Sequence, residues 1–436
     1  MKVNVYNVES FVDERLKIMV SDLIPNTKLK ISVKMEFPWC KGEEFSSYGV
    51  FCSNEKGEVD LDLDLVEPIE GTYKADNCMG LIYSLEKSKT EGKNFAENIS
   101  IDKPIIMNMI FETSIERKEV ELKRIFKSED ITTKYISDEF IGKLFYKQNS
   151  NNKTILMLGG SDGNLDALDL LAAPLASRGF NVLTVAYFAL EGLPDKLEEV
   201  PLEYFEKVFE WISENEITST KEIFVHGTSK GGELAFLLAS RYEQIKKVVV
   251  SQPHIYWFQA LNGLMSGNDT SSWSYKGEPF PYIKVDNDIF FEEQKKNISK
   301  GIPFGFNSTY KKSLKRAENR KEARIKIENS KADILMIAGK EDNIWNSYEA
   351  CLKALEIFEE NNYPYNVELL TYNNMGHPLP IPYIMPLKET LCMSMSGGIF
   401  SSGGTVEGNS KGQFESWNRT IEFYKKPLSS DLNNYY

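Results

Sequence analysis

The run VHGTSKGGELAFLLA, residues 225–239, constrains this chain more than any other stretch. It joins a short apolar segment, IFV, to an amphipathic one, GELAFLLASRY, through a junction crowded with Gly227, Ser229, Gly231 and Gly232. Gly227-Thr228-Ser229-Lys230-Gly231 fits G-x-S-x-G, the pattern of a sharp strand-to-helix turn that lifts a serine hydroxyl out at the carboxyl end of a sheet. A turn that tight leaves no room for side chains at its flanks. Gly227 and Gly231 meet that demand, and Gly232 lets the helix approach closely. Leu234, Leu238 and Tyr242 share one helical face, suited to packing under the sheet. A glycine-rich turn between ordinary elements would explain the glycines alone; the strand–serine–helix context favours a nucleophile at Ser229.

The surroundings supply such a sheet. TILMLGG, FNVLTVAYF, KEIFVHG, ADILMIAG and YNVELLTY are apolar strand candidates. Between the first three lie DALDLLAAPLASRG, with Leu168, Leu171 and Leu175 on one face, and PLEYFEKVFEWISEN, with Pro201 in its first turn and Phe205, Val208, Phe209 and Ile212 on one face. Strands alternating with helices require a mostly parallel sheet covered by helices, which together with the serine elbow suits an α/β-hydrolase. Residues 1 to about 140 read differently. KLKISVKMEF, SYGVFCS, KPIIMNMIFETS and KEVELKRIF are strand candidates with little helix between them, and EVDLDLDLV alternates strictly. We therefore expect an all-β sandwich over 1–140 and a hydrolase domain over 141–436, with the polar patch KQNSNNK (147–153) near the junction. Asp60, Asp62 and Asp64 would offer oxygen ligands to calcium, but a solvated strand face explains their alternation directly.

A serine hydroxyl needs a base, and the chain has three histidines. His226 lies on the strand side of the elbow. His254 could line the pocket, but it precedes the expected acid in the chain. His377, in NNMGHPLP after VELLTY, suits the order serine, acid, histidine. The acid is expected on the loop after ADILMIAG, where Asp342 follows the glycine and Glu341 competes from the adjacent position. Asp333 starts that strand and points from the wrong end. For the oxyanion, Lys230 presents a backbone N–H at the helix start. A second N–H would come from Gly160 or Ser161 after TILML, between which the pattern does not choose. GGSDGN lacks the spacing of a phosphate-binding loop, and no GxGxxG follows the strand.

Composition removes other classes. Lys plus Arg total 51 against 64 Asp plus Glu, a formal charge of −13, which disfavours non-specific nucleic-acid binding. No apolar run reaches membrane-spanning length, and MKVNVYNVESFVDERLK lacks the basic-then-apolar layout of a signal peptide. Five scattered cysteines, Cys40, Cys52, Cys78, Cys351 and Cys392, support neither a disulfide framework nor a zinc knuckle. We expect a cytoplasmic protein with no metal and no cofactor, acting on a small molecule. Oligomeric state is not fixed by the sequence.

Several further segments carry a resemblance. ADNCMGLIYSLE (75–86), GKLFYK (142–147), HGTSKGGELAFLLA, SSWSYKGEPFPYI (271–283, through Trp273, Tyr275, Lys276, Gly277 and Pro281), IAGKEDNIWNS (337–347, with Trp345 and Ser347 near the acid), GHPLPIPYIMP (with Pro382 and Tyr383) and GGTVEGNSKGQFESW (403–417) resemble the acyl-CoA thioesterase and bile acid-CoA:amino acid N-acyltransferase family over nearly the whole chain. The resemblance implies an N-terminal immunoglobulin-like sandwich, a C-terminal α/β-hydrolase domain and a Ser229–Asp342–His377 triad. It implies hydrolysis of an acyl-CoA thioester through an acyl-enzyme on Ser229, with CoA as part of the substrate. The conjugating members of that family carry cysteine at the nucleophile, so serine here tilts the reading towards water as acceptor. Hydrolysis of a carboxylic ester or peptide with the same triad, and transfer of the acyl group to an amino acid, are the alternatives. Two departures stand out: Glu341 occupies the first of two positions that are often both aspartate, and Pro378 follows the histidine directly.

Three segments leave their roles open. YKKSLKRAENRKEARIK (310–326) is locally basic, either a contact for CoA phosphates or a solvated helix and turn. HIYWFQALNGLM (254–265) either lines an acyl pocket or packs a cap. MSGGIFSSGGT (395–405) is a lid or a surface excursion. Cys78, without a base, reads as packing.

Overall fold

In a computed structural model of the chain, described here for residues 1–436 other than 63–66, 74–76, 89–97, 151, 162, 164, 219–221, 396 and 433–436, the backbone divides into two compact units. The first comprises Met1–Ser128, Ile381–Leu391 and Thr405–Phe414; the second comprises Glu129–Pro380, Cys392–Gly404 and Glu415–Tyr436.

The first unit is built on two sheets. A three-stranded sheet joins Lys2–Tyr6, Lys17–Ser21 and Val59–Asp60, and a seven-stranded one is centred on Ile105–Glu112, Lys28–Met35 and Phe45–Cys52. Period-two burial follows the sequence: Leu29, Ile31, Val33 and Met35 are buried, as are Ile105, Met107, Met109 and Phe111. Arg124 is buried too, its guanidinium donating to Ser10 Oγ at 2.6 Å and to the Val12 and Glu14 carbonyls at 2.9 and 2.6 Å, so three of its five N–H groups are met without solvent. Cys78 packs inside, donating to the Leu16 carbonyl at 3.0 Å, and burial pushes its thiol up to about 12.

Two expectations change here. Among its described residues, the alternating EVDLDLDLV is a strand only at Val59–Asp60. The Asp60 carboxylate accepts from the Asp62 N–H at 3.0 Å, a local bond that competes with the ladder and turns the chain. Leu63, Asp64, Leu65 and Val66 lie outside the described residues. The division also falls at Ser128/Glu129 rather than 140/141, because Ile131–Ile136 forms a hairpin with Ile141–Lys147 and so joins the second unit's sheet.

That sheet has eight strands: β1 (Ile131–Ile136), β2 (Ile141–Lys147), β3 (Thr154–Leu158), β4 (Asn181–Ala186), β5 (Ile223–Thr228), β6 (Ile245–Ser251), β7 (Asp333–Gly339) and β8 (Val367–Tyr372), in the order β1-β2-β4-β3-β5-β6-β7-β8. The pairs β1–β2 and β2–β4 are antiparallel and every other pair is parallel. Every residue of β3, β4 and β7 is buried, which is why these strands read as continuous apolar runs rather than alternating ones. Edge strand β8 is only half-buried. Helices Asp166–Ala176, Leu202–Glu214, Lys230–Ala239 and Ser347–Glu360 follow or link these strands. Pro201 caps the second of these from outside, at φ −75° and ψ 134°, where its missing N–H costs nothing. The unit is an α/β-hydrolase fold. No helix among the described residues is long and apolar enough to cross a membrane.

Candidate active site

At Ser229 the chain turns from β5 into the helix Lys230–Ala239 with φ +57° and ψ −120°. This is an unfavourable backbone for a residue with a Cβ, of the kind that persists only where surroundings over-determine it. The surroundings are tight. A Cβ on Gly227 would lie 2.2 Å from the Gly231 carbonyl oxygen, and one on Gly231 would lie 2.3 Å from the Gly159 oxygen and 2.4 Å from the Leu158 oxygen. The glycines are thus steric requirements of the turn. The Ser229 N–H is held by the Ser251 carbonyl at 2.9 Å, tying the elbow to the end of β6.

Beyond β7, the loop carrying Asp342 curls around its own carboxylate. One oxygen accepts from the Ile344 and Trp345 N–H groups at 2.9 and 3.3 Å; the other accepts from the Ser347 hydroxyl at 2.5 Å and lies 2.9 Å from His377 Nδ1. Asp342 is buried while the neighbouring Glu341 is exposed. The carboxylate on the imidazole is therefore Asp342's. A proton on Nδ1 directed at that carboxylate leaves Nε2 free to act as a base. His377 follows β8, half-buried, so Ser229, Asp342 and His377 all stand at the carboxyl ends of β5, β7 and β8. A chain of contacts links them: Trp345, whose N–H serves Asp342, donates its indole N–H to the Gln252 carbonyl at 2.8 Å, one residue past the Ser251 carbonyl that holds Ser229.

The glycine- and serine-rich stretch after the histidine is a pinned hairpin. Cys392–Met395 pairs with Gly398–Ser401, and the Ser402 carbonyl accepts from both the His377 N–H (3.0 Å) and the Asn343 N–H (3.2 Å). One backbone oxygen thereby clasps the histidine loop to the acid loop. Gly403 sits beneath, at φ +91°, where a Cβ would meet the Glu341 carbonyl oxygen at 1.9 Å.

Two of the expected oxyanion donors lie near the serine in chain or in space. The Lys230 N–H opens the helix, where no intrahelical acceptor exists. Gly160, after β3, is close enough that a Cβ there would lie 3.2 Å from Ser229 Cβ and 3.7 Å from its Oγ. Ser161 follows it; Asp162 and Asn164 lie outside the described residues. The other histidines are remote from this role. His226 is buried within β5, and burial lowers it to about 4. His254 is buried against Phe258 and Trp345, its Nδ1 accepting from the Tyr256 N–H at 3.2 Å, and burial lowers it to about 3.

Residues 254–265 are largely packing: Ile255, Phe258, Ala260 and Leu261 are buried in core clusters, and Gln259–Asn262 pairs with Met265–Ser271. In the basic stretch, Lys311, Lys312, Arg316 and Arg324 are ion-paired with Glu349, Glu293, Asp286 and Glu328. A groove of about 1080 Å³ lies between this stretch and the 279–288 segment, lined by Phe280, Tyr282, Lys284, Asp286 and Arg316, but it contains none of the three residues above. The candidate site is the elbow, with Ser229, Asp342 and His377 after the carboxyl ends of β5, β7 and β8, rather than this groove. Among the described residues no cluster of His, Cys, Asp and Glu is arranged to hold a metal ion. The Ser402 carbonyl is not legible in the sequence, because a backbone acceptor carries no side-chain signature.

Comparison with known proteins adds an independent line. A family model described as BAAT / acyl-CoA thioester hydrolase C terminal matches residues 200–430, and one described as acyl-CoA thioester hydrolase/BAAT N-terminal region matches residues 13–138. The bile acid-CoA:amino acid N-acyltransferase of Mus musculus is 25% identical over 99% of this chain and 99% of its own length. The acyl-coenzyme A thioesterase 6 of Homo sapiens is 25% identical over 96% of this chain and 94% of its own. Among solved structures, a puromycin-hydrolyzing peptidase of Mycobacterium tuberculosis aligns over 91% of this chain and 53% of that one, at 10% identity and a TM-score of 0.45.

Proposed function

Since the chain belongs to the acyl-CoA thioester hydrolase/BAAT family, we propose that it hydrolyses an acyl-CoA thioester to free acid and CoA through an acyl-enzyme on Ser229. The observation that carries this reading is the 2.9 Å contact between His377 Nδ1 and Asp342, in a chain whose elbow carries serine. Ser229 Oγ attacks the thioester carbonyl as His377 Nε2 takes its proton. The carbonyl π electrons move to oxygen, facing the N–H groups of Lys230 and of Gly160 or Ser161. Collapse breaks the C–S bond, and the departing thiolate takes the proton from His377. Water then repeats the sequence on the ester, with His377 as base and then acid. No cofactor enters, and CoA comes with the substrate. We read the first unit as the family's immunoglobulin-like sandwich.

Serine rather than cysteine at position 229 supports water as acceptor, because an alkyl ester resists amines more than a thioester does. The test is product analysis: short, medium, long and bile-acid CoA thioesters, each with and without glycine or taurine. Free acid in every case supports hydrolysis. Amide formed with glycine or taurine would assign the chain to acyl transfer, and turnover of esters or peptides alone would remove CoA from the reading.

The clasp gives a prediction of its own. Gly403→Ala forces a methyl group onto the Glu341 carbonyl and displaces the acid loop. A shift of about 1 Å in a catalytic group costs roughly 10²-fold, so steady-state kcat should fall by about that factor. An unchanged kcat would show that Ser402 does not set the Asp342–His377 geometry.

A further inference from the structure

A buried ion pair stands beside the nucleophile with no stabilising reason to be there. Lys230 Nζ lies 2.7 Å from Glu233 Oε1, with the two side chains 3% and 0% exposed. Burial lowers the Lys230 ammonium and raises the Glu233 carboxyl, each opposed by the other's charge. A pair this dry contributes little net stability, and well-packed apolar residues serve as well or better. A cation in the first turn of a helix also opposes the helix dipole. Something other than stability therefore accounts for it.

The third member explains the arrangement. Trp273, fully buried, donates its indole N–H to the same Glu233 oxygen at 2.7 Å. Its ring packs against Tyr187 at 5.7 Å between centroids. Tyr187, buried in turn, donates its hydroxyl to the Gly159 carbonyl at 2.5 Å. Gly159 immediately precedes Gly160, where an added Cβ would lie 3.2 Å from Ser229 Cβ. One side chain thus reaches both strands of backbone from which the oxyanion donors come: through Glu233 to Lys230, and through Tyr187 to Gly159–Gly160.

We propose that Trp273 is the positioning residue of the oxyanion site, fixing the distance between its two halves through Glu233 and Tyr187. This rests on the reading of Ser229 as nucleophile with Lys230 and Gly160 or Ser161 as donors. Trp273 touches no reacting atom; its effect passes through the two backbone segments. Because the oxyanion exists only after attack, the brace acts on the transition state and not on substrate binding.

The test uses Trp273→Phe, which keeps a ring against Tyr187 and removes the N–H, and Tyr187→Phe, which frees the Gly159 carbonyl and leaves the ion pair intact. Each is assayed with decanoyl-CoA and, in parallel, p-nitrophenyl butyrate, beside wild type and Ser229→Ala. In both variants kcat should fall about 10- to 100-fold with KM changed less than about threefold. Inhibition by octyl trifluoromethyl ketone, whose carbonyl accepts a serine oxygen and becomes an oxyanion, should weaken by the same factor as kcat/KM. Inhibition by free CoA should stay as in wild type. Thermal unfolding establishes that each variant is folded; should Trp273→Phe not fold, Tyr187→Phe decides alone. Wild-type kcat in the folded variants, or a lost kcat with undiminished affinity for the ketone, overturns the brace while an inactive Ser229→Ala leaves the serine reading standing. A fully active Ser229→Ala overturns both.

Discussion

Ser229→Ala is expected to abolish acyl-CoA turnover, by roughly 10⁴- to 10⁶-fold, the range seen when the nucleophile of a serine hydrolase is removed while its binding and oxyanion groups remain. The substitution deletes one half-buried oxygen and leaves the turn in place. Its backbone demand, φ +57°, suits alanine no better than serine, so the melting temperature should move little. KM should also hold, because Oγ contributes to the reaction and not to recognition of CoA. Loss of activity with an intact fold assigns the chemistry to Oγ. A residual rate above one-tenth of wild type would place the nucleophile elsewhere.

Asp342→Asn is the second large effect, and it separates two adjacent residues. The carboxylate accepts from His377 Nδ1, from Ser347 and from two backbone N–H groups. An amide must present its NH₂ to one of these donors. Turned towards His377, it favours the tautomer whose Nε2 carries the proton and cannot act as base. That misassignment costs about 10⁴-fold in kcat where the same geometry has been perturbed. Ser347 shares one carboxylate oxygen with His377 while the Ile344 and Trp345 N–H groups hold the other, so these two fixed backbone donors keep the amide oxygen on their side and turn the NH₂ towards His377. Glu341→Gln, altering an exposed side chain, should leave kcat within about twofold, as surface changes usually do. A mild effect at 342 with a severe one at 341 would transfer the acid's role.

Much of the second unit was legible because its physics is local. Strands buried on both faces must be continuously apolar, and TILML and ILMIAG announce themselves; a turn as tight as the elbow must be glycine-flanked, and G-x-S-x-G says so. The contact between His377 and Asp342 was legible because so few histidines exist and because loops after parallel strands converge at one end of a sheet. What stayed hidden depends on partners distant in sequence. The sequence of Ile131–Ile136 does not reveal whether it pairs with the first unit's sheets or with β2. Residues 381–391 and 405–414 belong with the first unit although hydrolase sequence surrounds them. The 395–405 stretch reads as a lid or a surface excursion because glycine and serine carry no burial signal, yet its Ser402 carbonyl holds two loops at once. Trp273 drew notice by resemblance only; its bond to Glu233, 40 residues earlier, has no trace in spacing.

The most direct measurement is rapid-quench intact-mass spectrometry of the protein mixed with decanoyl-CoA, with CoA release followed on the same samples and the modified peptide mapped. A transient decanoyl adduct on Ser229, formed as CoA is released and lost as free decanoic acid appears, is the predicted result. Turnover of decanoyl-CoA with the acyl group mapped to another residue, or continuing after Ser229 has been blocked, would contradict a serine acyl-enzyme.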